Sequence, residues 1–147
     1  MALANMTQEQ TNDYNREHCK RIAQDVHDYA VGRCYRCPER NETITLPDDM
    51  EDKYHCPCCG TIHEVDDLEQ LSIWDWADNI LDWRYIIERD KSYRSVEIMV
   101  AFGGPTIWIS TESKSVELYW WGDRASYPIS YRATEALDEW AEEMWGV

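Results

Sequence analysis

The sequence predicts an α+β protein: an N-terminal helix and a small cysteine-held ribbon, followed by an antiparallel β-meander packed with helices. Three observations predict it. Two Cys-x-x-Cys pairs, Cys34/Cys37 and Cys56/Cys59, stand eighteen residues apart. Apolar residues recur at spacings of three and four up to Asp82, then switch to alternation. The chain closes on a second helical stripe.

The elements follow in order. Thr7-Gln-Glu-Gln10 has the form of a helix N-terminal capping box, and Tyr14, His18, Ile22 and Val26 continue it at helical spacing, predicting a helix over residues 8–30 closed by Gly32. His18 and Cys19 are adjacent, so they point about 100° apart and do not form a nucleophile pair. In the ribbon, Thr43–Leu46 reads as a strand, residues 48–53 as a charged turn, and Tyr54–Cys56 as the return. Leu68–Asp82 reads as a helix, with Ser72-x-x-Asp75 as its capping signal. Strands follow at Trp83–Glu88, Arg94–Phe102, Thr106–Ser110 and Val116–Trp121, with turns at Asp90-Lys91, Gly103-Gly104-Pro105, residues 112–115 and Gly122-Asp123. Ala125–Ile129 is expected at a sheet edge, because Pro128 lacks the N–H that a central strand needs. Ala133, Ala136, Leu137, Trp140, Ala141 and Met144 form the stripe of the last helix. Asp66-Asp67 marks the expected boundary between an N-terminal helix plus zinc-ribbon domain, residues 1–65, and an acidic α+β domain, residues 66–147.

The paired cysteines carry the strongest chemical signal. Two Cys-x-x-Cys turns can bring four sulfurs to one tetrahedral zinc ion at about 2.3 Å. Pro38 and Gly60, each directly after a second cysteine, suit tight turns. The expected ligands are Cys34, Cys37, Cys56 and Cys59, around one structural Zn²⁺. Cys58 lies inside the second turn, and His55 and His63 flank it, so a set of three cysteines and one histidine remains open. Thiol redox chemistry fits less well, since it calls for one motif beside a βαβ unit. Four protein ligands also close the shell that a catalytic zinc keeps open for water.

Charge narrows the function further. The 147 residues include 29 acidic and 14 basic side chains, a formal charge of −15. Residues 1–65 carry 12 acids and 7 bases, the remainder 17 and 7, so the acidity concentrates in the second half. Such a chain is repelled by nucleic acid, whose binding requires Lys and Arg to displace counterions. Arg33, Arg36 and Arg40 are the only candidates for a local basic patch, and Glu39 and Glu42 stand among them. Strongly basic protein surfaces are the partners that the charge favours. No apolar run approaches the roughly 20 residues that span a bilayer, and Met1–Gln10 lacks the layout of a secretory signal, so a cytoplasmic location is expected. There paired thiols read as metal ligands.

No spacing singles out a nucleophile or an acid–base pair, so no catalytic residues are expected and the protein is read as a non-enzyme. Gly103-Gly104-Pro105 lacks the Gly-Lys-Ser/Thr of a phosphate loop and is read as a strand connection. The candidate partner-binding residues are Glu135, Asp138, Glu139, Glu142 and Glu143 on the last helix, with Tyr119 and Trp121. Alternation puts part of Tyr119-Trp120-Trp121 on the face away from the core, and exposed Trp and Tyr often anchor interfaces.

The segment Tyr93-Arg-Ser-Val-Glu-Ile-Met-Val-Ala-Phe-Gly-Gly-Pro-Thr-Ile-Trp-Ile, followed by Val116-Glu-Leu-Tyr-Trp-Trp-Gly-Asp-Arg-Ala-Ser-Tyr-Pro, resembles a domain of small phage and mobile-element proteins from gut bacteria. The resemblance covers roughly residues 80–147. With an acidic chain and a zinc ribbon in front, the whole resembles phage-encoded anti-CRISPR inhibitors of the type II RNA-guided nuclease. The resemblance implies stoichiometric binding of that nuclease in the cytoplasm of the bacterial host. That nuclease holds its guide–target duplex in a positively charged channel, where an acidic protein would oppose DNA loading. It transfers no functional residue to a position here. The alternative is a zinc-ribbon adaptor that binds a host transcription or replication protein.

Overall fold

The computed structural model describes residues 7–48 and 52–146. Helix α1 spans Gln8–Ala30. Its start is fixed by reciprocal bonds: the Thr7 hydroxyl accepts from the Gln10 amide at 3.1 Å, and the Gln10 side chain accepts from the Thr7 amide at 3.0 Å. Asn15, Cys19, Ala23 and Val26 recur every three or four residues, and this stripe is buried.

The chain then builds the ribbon. Strands β1 (Cys34–Arg36), β2 (Thr43–Thr45) and β5 (Glu69–Gln70) form a three-stranded antiparallel sheet in the order β2-β1-β5. Strands β3 (Lys53–His55) and β4 (Ile62–Glu64) form a separate hairpin. Of the charged turn expected at residues 48–53, residues 49–51 lie outside the described residues. The ribbon is seated on the end of α1. Leu46 and Arg33 bond through their backbones at 2.8 Å, and the Arg33 guanidinium reaches Asp28 at 3.3 Å.

The larger unit is a five-stranded meander. Strands β6 (Asp82–Ile87), β7 (Tyr93–Ala101), β8 (Thr106–Ser110), β9 (Ser115–Trp120) and β10 (Asp123–Pro128) pair antiparallel in simple order, β10-β9-β8-β7-β6. Alternation decides its faces. Val96, Ile98, Ile107, Ile109, Val116 and Leu118 are wholly buried beneath α1 and helix α3 (Tyr131–Trp145), which adds Ala133, Leu137, Trp140 and Ala141. The opposite face carries Trp108 and Tyr119, each under an arginine: Arg84 at 4.3 Å and Arg124 at 5.4 Å from the ring centres. Pro128 lies on outer strand β10, as its missing N–H requires. Ser130 caps α3 by accepting from the Ala133 amide at 3.1 Å, and its hydroxyl lies 2.7 Å from His27 Nδ1, tying α3 to α1.

One expectation needs correction. The helix expected over residues 68–82 shrinks to α2, Ile73–Ala77. Glu69 and Gln70 are taken up by pairing with β1, and the Leu81 amide bonds Met99 O at 2.9 Å, so tertiary pairing consumes both ends. Its apolar stripe is real but serves two cores: Leu68 packs in the ribbon, while Ile73, Trp76, Ala77 and Ile80 pack against the meander. Cys19, Ala23 and Val26 of α1 are buried with the sheet rather than with the ribbon.

Candidate metal centre

Two turns of the same design face each other in the ribbon. In Cys37-Pro-Glu-Arg-Asn-Glu42, the Cys37 amide donates to Glu42 O at 2.8 Å and the Asn41 amide to Cys37 O at 2.7 Å. In Cys56-Pro-Cys-Cys-Gly-Thr61, the Cys56 amide donates to Thr61 O at 3.0 Å and the Gly60 amide to Cys56 O at 2.9 Å. The fifth residue of each turn takes the left-handed conformation, Asn41 at φ 58° and Gly60 at φ 75°, which these residue types tolerate best. Backbone N–H groups of Glu39 and Arg40 favour the thiolate of Cys37, and those of Cys58 and Cys59 favour that of Cys56.

Such paired turns present their first and fourth residues to a common point. Those residues are Cys37 and Arg40, and Cys56 and Cys59. Arg40 has no lone pair to offer a metal. The fourth donor is instead His63 on β4, with Nε2 at 3.2 Å from Cys59 Sγ. The donor atoms of Cys37, Cys56, Cys59 and His63 all lie within 4.8 Å of one another, so this group could hold a metal ion. Cys37 Sγ and Cys56 Sγ are 3.8 Å apart. Two thiolates bound at about 2.3 Å in tetrahedral geometry stand about 3.8 Å apart, so the spacing fits.

Cys34 is not in this group. Its position follows from β1: an extended strand advances about 3.3 Å per residue, so Cys34 and Cys37 are drawn roughly 10 Å apart instead of converging on one point. Cys34 pairs with Thr45, is almost fully buried, and its thiol is pushed up to about 11 by burial, against a bond from Thr45. Cys58 also stays outside, its thiol 3.2 Å from Glu42 Oε2 and pushed up to about 12, first by burial and then by that carboxylate. His55 turns to Gly60 O at 3.2 Å. Within the group, burial pushes the Cys37 thiol up, but the amides of Arg40 and Glu39, together with the neighbouring Cys59 and Cys56, hold it below its ordinary value. The Thr61 amide holds Cys59 low in the same way, whereas burial keeps Cys56 high. No disulfide links these thiols.

The sequence carried the signal for this arrangement: Cys-Pro-x-x-Asn at 37–41 and Cys-Pro-x-x-Gly at 56–60 mark the true repeat, which the overlapping Cys34-x-x-Cys37 spacing obscures.

The surface candidates divide. Glu135, Glu139, Glu142 and Glu143 are exposed on the side of α3 away from the core. Asp138 is half-buried and accepts from the Tyr93 hydroxyl at 2.6 Å, and burial together with this carboxylate pushes the Tyr93 phenol up. Tyr119 lies on the sheet face opposite the helices and Trp121 in the β9–β10 turn, 88% exposed. Neither shares a hydrogen bond, ion pair or ring contact with the α3 carboxylates among the described residues. No helix among those residues is long and apolar enough to cross a membrane.

No family model, curated protein or solved structure matches the chain, so its geometry stands without a relative to compare.

Proposed function

We propose that the protein acts by binding, without turnover, as an acidic module stiffened by a zinc-held ribbon. Its target on this reading is the type II RNA-guided nuclease of the bacterial host, and its effect is to keep target DNA from loading in that nuclease's basic channel. Cys37, Cys56, Cys59 and His63 would hold the zinc, since three thiolates and an imidazole form a closed tetrahedral donor set that suits this ion and leaves no position for water. Its contribution is structural.

The observation that carries the reading is the outer face of α3. Glu135, Glu139, Glu142 and Glu143 are exposed there, and among the described residues none of them is in an ion pair. Arg33, Arg36, Arg84, Arg94 and Arg124 are each paired elsewhere in the chain, and Arg132, the one base on α3, is in none of these ion pairs. Four carboxylates thus stand on this face beside a single arginine, and its net charge favours cations of a partner. The resemblance in residues 80–147 supplies the nuclease as the source of those cations.

The test is target-DNA cleavage by a purified type II nuclease with its guide, the protein being added before or after DNA. Inhibition is expected only when the protein is added first, and it should weaken as salt rises. Reversing Glu135, Glu139, Glu142 and Glu143 to Lys should weaken inhibition by about tenfold or more. Undiminished inhibition by that variant removes the α3 face from the account. Unaffected cleavage across several nuclease orthologues removes the nuclease.

A further inference from the structure

At one end of the meander, the β7–β8 and β9–β10 turns enclose an open cleft of about 440 Å³, lined by Gly104, Tyr119, Trp120, Trp121, Asp123 and Arg124 among others. Several features of this cleft run against ordinary folding preferences. The β9–β10 connection is a two-residue turn, since Trp120 and Asp123 are paired across it. Both turn residues are left-handed, Trp121 at φ 49° and Gly122 at φ 82°. Asn-Gly is the relaxed choice for such a turn, and a bulky side chain rarely adopts this conformation. Trp121 adopts it and is also 88% exposed, so neither backbone comfort nor burial accounts for a tryptophan there.

The ring's surroundings suggest what accounts for it. Trp121 and Trp120 stand at right angles, 87° between planes and 6.1 Å between centres, forming a two-walled aromatic corner. Gly104 on the facing turn permits this: a Cβ there would come within 3.1 Å of the Trp120 ring. Aromatic faces are negative, so such a corner attracts a cation. The Asp123 carboxylate lines the same cleft, its Oδ1 accepting from Gln8 Nε2 at 2.9 Å. The one cation in the lining, Arg124, stacks over Tyr119 at 5.4 Å and pairs with Glu117 at 3.6 Å, so it is engaged beside the tryptophans rather than between them.

We propose that this cleft receives an arginine side chain of a partner protein, its guanidinium stacked on Trp121 and Trp120 and faced by Asp123. Arginine fits better than lysine because a planar, weakly hydrated guanidinium stacks on a ring. The formal charge of −15 favours approach of a basic partner surface, and the cleft supplies one point of specific contact within that attraction. The inference deepens the proposed reading and rests on it for the source of the arginine.

The test uses no nuclease, so its failure is separable from failure of that reading. The full-length protein is titrated with the peptide Gly-Ser-Gly-Arg-Gly-Ser-Gly and with the same peptide carrying citrulline, which keeps arginine's shape and lacks its charge. Indole N–H resonances of Trp120 and Trp121 are followed by NMR. Saturable shifts are expected with the arginine peptide, with binding about tenfold weaker for citrulline and for Trp121→Ala. Asp123→Asn should weaken it by a smaller factor, about threefold. Because Trp121 is exposed, its truncation leaves the core intact, and unchanged methyl resonances of Leu118 and Ile109 verify this. The proposal is overturned if the two peptides bind alike, if the indole shifts fail to saturate, if Trp121→Ala binds as the parent does, or if the shifts appear on α3 instead.

Discussion

The ribbon and the meander solve the same problem with different materials. Among the described residues the meander buries a contiguous cluster of fourteen apolar side chains drawn from α1, the sheet, α3 and Ile129, before it. The ribbon's cluster has five, Cys37, Ile44, Leu46, Cys56 and Leu68, and two of these belong to the group that could hold a metal ion. A fully buried aliphatic side chain contributes about 1.5–3 kcal/mol, which is set against roughly 1–2 kcal/mol of backbone entropy for every residue ordered. The meander can meet that cost from its own core. The ribbon, with short strands and few apolar residues, cannot, and units of its size generally need a metal or disulfides. The lesson is that the cysteines are part of the ribbon's core, not a decoration on it.

Removing the metal should break the comparison most sharply. Structural zinc in small ribbon-like domains contributes on the order of 10 kcal/mol, so chelation, or Cys56→Ser, should unfold residues 34–70 while the meander stays folded. Hydrogen exchange would show this as lost protection in β1–β5 with β7–β9 unchanged. Uniform loss across both would mean that the two units fold as one. The complementary change is Leu118→Ala, which empties a fully buried position in the sheet core. It should cost about 2–5 kcal/mol of meander stability, read by chemical denaturation, and leave metal stoichiometry unaltered. Smallest is Ser72→Ala at the start of α2, where the Ser72 hydroxyl accepts from the Trp74 amide at 3.2 Å. Loss of this cap should cost about 1 kcal/mol. Because Ile73, Trp76 and Ala77 pack on the meander, the loss should appear there and not in metal affinity.

Much of the fold could be read from the residues, for identifiable reasons. Capping at Thr7 and Ser72, alternation in β7–β9 and the edge position of Pro128 are local signals, and local rules decided them. What escaped was decided at a distance. The stretch from Leu68 to Asp82 has a helical stripe, but pairing of Glu69 and Gln70 with β1 and capture of Leu81 by Met99 leave only five residues of helix. The placement of α1 with the sheet is likewise a tertiary choice, since an amphipathic stripe does not name the core it enters. The metal group was legible in type, three cysteines and a histidine having been left open, but the spacing Cys34-x-x-Cys37 points to a sulfur that lies outside the group of Cys37, Cys56, Cys59 and His63. Whether that spacing closes into a turn depends on whether residues 34–36 pair as a strand, and they do so with both β2 and β5. Among the acidic residues, the bond from Tyr93 to Asp138 could not be read from the sequence either, because it links residues 45 apart.

The most direct test of the account is cobalt substitution of the parent protein, Cys34→Ser and His63→Ala, with metal content and the visible spectrum recorded together. The account predicts that Cys34→Ser keeps one metal per chain and the parent's tetrahedral thiolate–cobalt spectrum. His63→Ala should lose affinity by about tenfold or more and show an altered ligand field. Should Cys34→Ser abolish the thiolate spectrum while His63→Ala leaves it untouched, the metal would belong to four cysteines, and the pairing of the turns at Cys37 and Cys56 around His63 would be wrong.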